Sequence, residues 1–227
     1  MAREEWNEMK VRAALRCPLP GITAQVTMSP RPRPIRPPDG VPPRQAGVLI
    51  LLYPVGGQLH MVFTVRPTHL NHHAGQVSFP GGGWEKGDTS LAETALRETR
   101  EELGIPTAEI EVLGPLTPLY VPTSHNLVHP FVALAPRRPA FQPDPLEVAE
   151  LLEVPLATFR DPTIRGEDQM ERDGQEVVVP YYAVGHHKIW GATAAILAEF
   201  LALLNAQPEP PMPDFPGDSD ASTLSAI

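Results

Sequence analysis

Three glutamates, Glu98, Glu101 and Glu102, crowd into the segment RETREELG that runs from Arg97 to Gly104. On a helical wheel of about 100° per residue with Leu96 at the origin they fall near 200°, 140° and 240°, while the apolar positions cluster near 320°. The three carboxylates therefore share one helix face. Glu102 borders the apolar stripe, so part of the cluster is expected to be half-buried, where like charges raise one another's pKa. Arg97 and Arg100 supply compensating charge, and Glu93 to Arg97 is a favourably oriented i, i+4 pair. The plain alternative is a solvated, charged helix face. Against it stands the preceding loop, FPGGGWEKGD, whose glycines let backbone approach a ligand. Oxygen-only ligands of this kind suit hard cations, Mg²⁺ or Mn²⁺, which in turn hold phosphate oxygens and a water; the chemistry implied is metal-assisted phosphoryl transfer. A P-loop is excluded, because no Gly-Lys-Ser/Thr ending follows the glycines.

The helix that must carry these residues is the clearest in the chain. In residues 89–104, Thr89 or Ser90 can cap the start, Ala92, Ala95, Leu96, Thr99 and Leu103 follow the i, i+3, i+4 rule, and Gly104 and Pro106 end it. Residues 46–54 and 59–66 are apolar, β-rich runs joined at Gly56-Gly57, which predicts a hairpin. Further strands are expected over 110–113, 127–135, 148–154 and 177–184, with an apolar closing helix over 192–204 and a short amphipathic helix over 4–16.

With 227 residues, 42% of them hydrophobic, the chain suits one domain with extensions. We expect an N-terminal segment with a Pro-rich arm over 1–45, a catalytic-size domain over 46–205 and a flexible acidic tail over 206–227. Nine of the 29 prolines precede residue 46, and SPRPRPIRPPDGVPPR predicts an extended, stiff arm over 27–45. The longest apolar run, 46–53, is far short of the roughly 20 residues that cross a bilayer, so no membrane association is expected. The single cysteine, Cys17, cannot form an internal disulfide and receives no role; a reducing, cytoplasmic setting follows. The net charge of −9 argues against a surface that grips nucleic acid. Eight basic residues against four acidic ones over 1–45 make the arm positive, for contact with the acidic body or with an anionic ligand.

The stretch from Gly82 to Ile105 resembles the Nudix box, in which a glycine, five residues, a glutamate and seven residues precede R-E-U-x-E-E-x-G-U, where U is apolar. RETREELGI matches with Thr99 at an apolar position, whereas Gly82 plus five residues reaches Asp88 rather than a glutamate, with eight residues instead of seven between it and Arg97; counting from Gly83 keeps the spacing but puts Thr89 at the acidic position. Upstream, VFTVRPTHLNHHAGQVSFPGG resembles the motif of coenzyme A pyrophosphatases within the Nudix superfamily, at Arg66, Leu70, His73, Gly75, Gln76, Phe79, Pro80, Gly81 and Gly82. The resemblance implies an α/β fold, a Nudix-type α/β/α sandwich with a mixed β-sheet. It implies hydrolysis of the pyrophosphate of coenzyme A or its derivatives to 3′,5′-ADP and 4′-phosphopantetheine. By the same resemblance, Glu98 and Glu102 are the first-choice ligands of Mg²⁺ or Mn²⁺, Glu101 shares a metal or positions water, Arg97 orients the glutamates, and Arg66, His73, Gly75, Gln76, Gly81 and Gly82 meet the substrate.

The general base stays open between the helix and a later loop with Glu167, Asp168 and Glu171. Arg66, Lys86 or an arm arginine could meet a 3′-phosphate; His72 and Trp84 are candidates for phosphate and adenine contact beside plain packing roles, and His186 and His187 read as the solvent edge of the last helix. Two other functions stand beside the first: a Nudix hydrolase of another nucleoside diphosphate derivative such as NADH or ADP-ribose, and a non-catalytic nucleotide- or RNA-binding module. The apolar excess of the last helix could serve a core or a dimer contact, and the long arm could reach a neighbouring subunit, so a homodimer is one expectation.

Overall fold

The computed structural model describes residues 6–67, 75–172 and 174–206. In chain order the elements are α1 (Glu8–Ala14), α2 (Ile22–Gln25), β1 (Arg44–Val55), β2 (Gln58–Val65), β3 (Val77–Ser78), β4 (Gly81–Gly83), α3 (Leu91–Leu103), β5 (Glu111–Pro115), β6 (Leu119–Val121), β7 (Asn126–Leu134), β8 (Glu150–Pro155), β9 (Arg165–Arg172), β10 (Gln175–Val184), β11 (His187–Trp190) and α4 (Gly191–Asn205). The β1–β2 hairpin turns at Gly56 and Gly57, both with positive φ, as the two-residue glycine spacing predicts. β1 is the axis of the main sheet: it pairs antiparallel with β2 and β4 and parallel with β7, so the sheet is mixed. β8 and β3 extend it beyond β2, and β5 and β6 beyond β7.

Alternation along β1 splits the core in two. Leu49, Leu51 and Tyr53 face one way, with Ala95 and Leu103 of α3; Ile50 and Leu52 face the other, with Ile196, Phe200 and Leu204 of α4. One helix on each face of the sheet makes the α/β/α sandwich. At Gly47 the helix comes so near that an added Cβ would meet the Leu91 carbonyl oxygen and, at 3.1 Å, the Ala95 nitrogen, so the close seating of α3 on β1 depends on that glycine.

β9, β10 and β11 form a separate antiparallel sheet of three strands. This corrects the expectation of a loop at 165–174: Glu167, Asp168 and Glu171 lie on β9. The two-residue alternation there is polar on both faces, which gave no strand signal. The expected N-terminal helix is shorter, Glu8–Ala14, and residues 207–227 of the expected tail lie outside the described residues. Three of the arm's arginines, Arg31, Arg33 and Arg44, turn to the body. Arg31 pairs with Glu167 at 2.6 Å and exchanges backbone hydrogen bonds with Val178, Arg33 donates to the Tyr120 carbonyl, and Arg44 donates to the Ser124 carbonyl at 2.8 Å. Burial lowers the pKa of Arg33.

Candidate active site

α3 starts where Ser90 accepts a hydrogen bond from the Glu93 amide at 3.2 Å, and ends at Gly104, which adopts φ +61. Glu93 reaches back to accept from the Thr89 amide at 2.6 Å and from the Thr89 hydroxyl. The expected Glu93–Arg97 pair is therefore absent among the described contacts, because the cap takes the carboxylate. Thr99, the polar residue at an apolar position, is fully buried and satisfies its hydroxyl by donating to the Ala95 carbonyl at 2.7 Å.

Arg97 organises the cluster. Its Nε and Nη2 donate to the two oxygens of Asp88 at 3.0 and 3.1 Å; Nη1 donates to Glu98 at 3.0 Å and to Glu101 at 2.9 Å; Nη2 also donates to the Gly83 carbonyl at 2.9 Å. Asp88, with its side chain only 6% exposed, accepts further from the Thr94 hydroxyl at 2.8 Å and the Glu85 amide at 3.0 Å. Arg97 above all, then the Glu85 amide, holds the Asp88 carboxyl well below the usual range. The irregular junction between loop and helix thus closes on Asp88 by a bidentate ion pair. Arg100, by contrast, is exposed and approaches Glu101 at 3.9 Å.

The two inner carboxylates have the opposite environment. Glu102 is 5% exposed, accepts from the Gly81 backbone amide, and leaves its buried Oε2 with no hydrogen-bond partner. Burial, then the charge of Glu98, pushes its pKa up to about 8 against the weaker pull of the Gly81 amide and Arg66. Burial likewise raises Glu98, with Arg97 opposing. Glu98 lies so close over Gly82 that a Cβ there would stand 2.5 and 2.6 Å from its two carboxylate oxygens. An orphaned buried oxygen, a second half-buried carboxylate, an exposed third and a glycine that leaves the space open make an all-oxygen donor set that fits a hard divalent cation. Glu98, Glu101 and Glu102 would hold it.

The upstream residues converge on the same end. The backbone of Arg66 donates to the Gln76 carbonyl and accepts from the Gly75 amide, both at 3.0 Å, and its charge acts on Glu102; its side-chain Nε is buried without a partner. Gly81 and Gly82 sit in β4 against Val48 and Gly47. His72, His73 and Leu70 lie outside the described residues. Lys86 is exposed, and Trp84, half exposed, donates from its indole to the Asp88 carbonyl at 3.2 Å. Glu167 and Asp168 are occupied elsewhere, by Arg31 and by Lys188, each at 2.6 Å.

Sequence reasoning missed Glu147. The loop after β7 docks on the end of α3, with the Gln142 amide donating to the Leu103 carbonyl at 2.8 Å and the Asp144 amide to the Glu102 carbonyl at 3.0 Å. This brings Glu147 near enough for its charge to raise both Glu98 and Glu102. No spacing rule links residues so far apart, so only the docked loop reveals it.

Comparison with known proteins agrees with this geometry. Residues 43–173 match the NUDIX domain. The chain is 37% identical over 165 residues to the mitochondrial coenzyme A diphosphatase NUDT8 of Homo sapiens, covering 71% of this chain and 70% of that protein. It is 38% identical over 167 residues to the uncharacterized Nudix hydrolase NudL of Pectobacterium atrosepticum, covering 73% of this chain and 85% of that one. A crystal structure of a Nudix hydrolase from M. smegmatis, RenU, covers 70% of this chain at 17% identity with a TM-score of 0.47, and 83% of its own length is spanned. With the arginine-anchored glutamate helix and the matched domain spanning most of the described sheet, this chain belongs to the Nudix hydrolases and is a pyrophosphohydrolase.

Proposed function

We propose that the protein hydrolyses the pyrophosphate bond of coenzyme A or a derivative, giving 3′,5′-ADP and 4′-phosphopantetheine, with Mg²⁺ or Mn²⁺ held by Glu98, Glu101 and Glu102. The observation that carries the reading is the buried Glu102 with its unpartnered Oε2 beside Glu98 on Gly82, together with the Arg66, Gly75, Gln76 corner, whose sequence resembles the coenzyme A pyrophosphatase motif. The relative named as a coenzyme A diphosphatase supports the substrate. The free, half-exposed Cys17 suits a reducing cytoplasm.

A bound cation of this class withdraws charge from a phosphate oxygen and acidifies a water. The chain's own residues do the positioning. Arg97 fixes Glu98 and Glu101 by two hydrogen bonds from one nitrogen, and Asp88 fixes Arg97 in turn. Gly82 leaves space for the Glu98 carboxylate, and Arg66 brings positive charge near Glu102. Glu147 joins the helix glutamates as a candidate base, since its charge reaches Glu98 and Glu102, whereas Glu167 and Asp168 are paired with Arg31 and Lys188. If Asp88 positions Arg97, Asp88→Asn lowers turnover about 10- to 100-fold, the usual cost of losing a partner one shell out from a cation site. Steady-state kinetics at saturating Mn²⁺ check this, and unchanged kcat would remove Asp88 from the machinery.

Product analysis on the purified protein tests the function, with coenzyme A, NADH and ADP-ribose each incubated with Mg²⁺ or Mn²⁺ and with EDTA. The expected result is EDTA-sensitive release of 3′,5′-ADP and 4′-phosphopantetheine from coenzyme A. Cleavage of only NADH or ADP-ribose would refute the substrate and leave the chemistry; cleavage of none would favour a nucleotide-binding module.

A further inference from the structure

A second group of metal-ligating side chains lies apart from the glutamate helix. Glu150, His186 and His187 present one carboxylate oxygen and two imidazole nitrogens that all lie within 4.8 Å of one another. Successive residues of a strand point to opposite faces, so adjacent histidines rarely converge. Here the β10–β11 turn changes that: Gly185 takes φ +58, and the rings of His186 and His187 come to 3.9 Å between centroids. The Nε2 of His187 is buried and lies 3.2 Å from Glu150 Oε2, yet it makes no hydrogen bond. Burying a ring nitrogen without a partner is unfavourable unless something else takes its lone pair.

The site is separate from the catalytic face. Glu150 is opposite Val65 in the β2–β8 register and has the parity of Leu152 and Val154, which pack on the α4 side of the sheet; Leu151 packs on the α3 side. Glu150 therefore projects away from α3, toward β11, and its partners belong to the three-stranded sheet. The donor types differ as well. Oxygen donors select Mg²⁺ and Mn²⁺ on α3, whereas two imidazoles and a carboxylate suit zinc-class ions. In a tetrahedral zinc site neighbouring ligand atoms stand about 3.4 Å apart. The ligand atoms already lie within 4.8 Å of one another, and Glu150 and His186 are exposed, so side-chain rotation can close the difference.

We propose that Glu150, His186 and His187 bind one zinc-class transition-metal ion, which clips the β10–β11 hairpin of the small sheet to the β8 strand of the main sheet. The ion has three protein ligands and an open position for water. Binding joins two sheets that are otherwise distinct hydrogen-bonded units, so it stabilises the native arrangement.

The test uses the full chain, stripped with a chelator and then titrated with Co²⁺ under excess Mg²⁺, with visible absorption reporting nitrogen-ligated cobalt and Zn²⁺ competition giving affinity. One equivalent is expected, with a rise in thermal midpoint on adding Zn²⁺. His186→Ala, at an exposed position that spares the fold, is expected to weaken binding at least about 10-fold, and Glu150→Gln similarly. The double variant Glu98→Gln, Glu102→Gln is expected to keep the site. His187→Ala is read only after circular dichroism shows a native spectrum. Absence of binding under excess Mg²⁺, equal affinity in His186→Ala, or loss of the cobalt spectrum in the Glu98, Glu102 variant would each overturn the proposal.

Discussion

Glu102→Gln is expected to lower turnover of coenzyme A about 10²- to 10³-fold, the cost of removing one well-placed charge from a catalytic centre, while making the metal-free protein more stable at alkaline pH. The two effects have one cause. Glu102 is buried beside Glu98, and its carboxyl is raised from 4.5 to about 8. A carboxyl raised on folding contributes stability that is full below its ordinary pKa and is lost as pH climbs through the folded value. Between about pH 5 and pH 9 the metal-free wild type should therefore lose thermal stability relative to the glutamine variant, which carries no such proton. Adding Mn²⁺ at pH 9 should restore the wild type and do little for the variant. Parallel melting curves across that range, or wild-type turnover in Glu102→Gln, would sink the assignment of Glu102 as the buried ligand. The depressed Asp88 titrates in the opposite sense and is common to both proteins, so it cancels in the comparison.

Gly82→Ala is expected to reduce activity about 10²-fold with a near-native thermal midpoint, because a displacement near 1 Å at a reacting centre costs that much. The new methyl would stand 2.5 and 2.6 Å from the Glu98 oxygens, closer than real contacts allow, and what yields is the far end of a side chain. Glu98 then swings off Arg97, to which it is bonded at 3.0 Å, and away from Glu102. Gly114→Ala, where nothing lies within 4 Å of the added carbon, serves as the control and should change activity less than about twofold. A Gly82→Ala enzyme as active as this control would show that the position of Glu98 does not matter to the chemistry. Mn²⁺ affinity separates the two accounts, since a displaced ligand weakens binding and a merely strained strand does not.

Much of this arrangement was legible in the chain itself. The helix over Leu91–Leu103, its serine cap and glycine stop, the glycine hairpin and the shared face of three glutamates all follow from rules that act over a few residues: 3.6-residue periodicity, capping and turn conformation. Arg66, Gly75 and Gln76 drew attention for the same reason, as one short contiguous segment, and the structure joins them by backbone hydrogen bonds. What short range cannot decide is which of two competing partners a group takes. Arg97 had Glu93 at ideal spacing, yet the cap claimed Glu93 and the loop delivered Asp88. The strongly apolar last helix carries Glu199, fully buried, which accepts from the Gly21 and Thr117 amides and from Gln25, partners that only the packed chain assembles.

By itself the sequence determined the β1–β2 hairpin, the capped helix α3 with its three glutamates and the apolar closing helix α4. The tertiary structure decided the burial that raises Glu102 and Glu98, the approach of Glu147 from a loop 45 residues downstream of Glu102, the diversion of Glu167 and Asp168 into a separate sheet, and the meeting of Glu150 with His186 and His187. The physical reason is range: periodicity and caps are written in neighbouring residues, whereas desolvation and the summed field at a carboxylate depend on every element that closes around it.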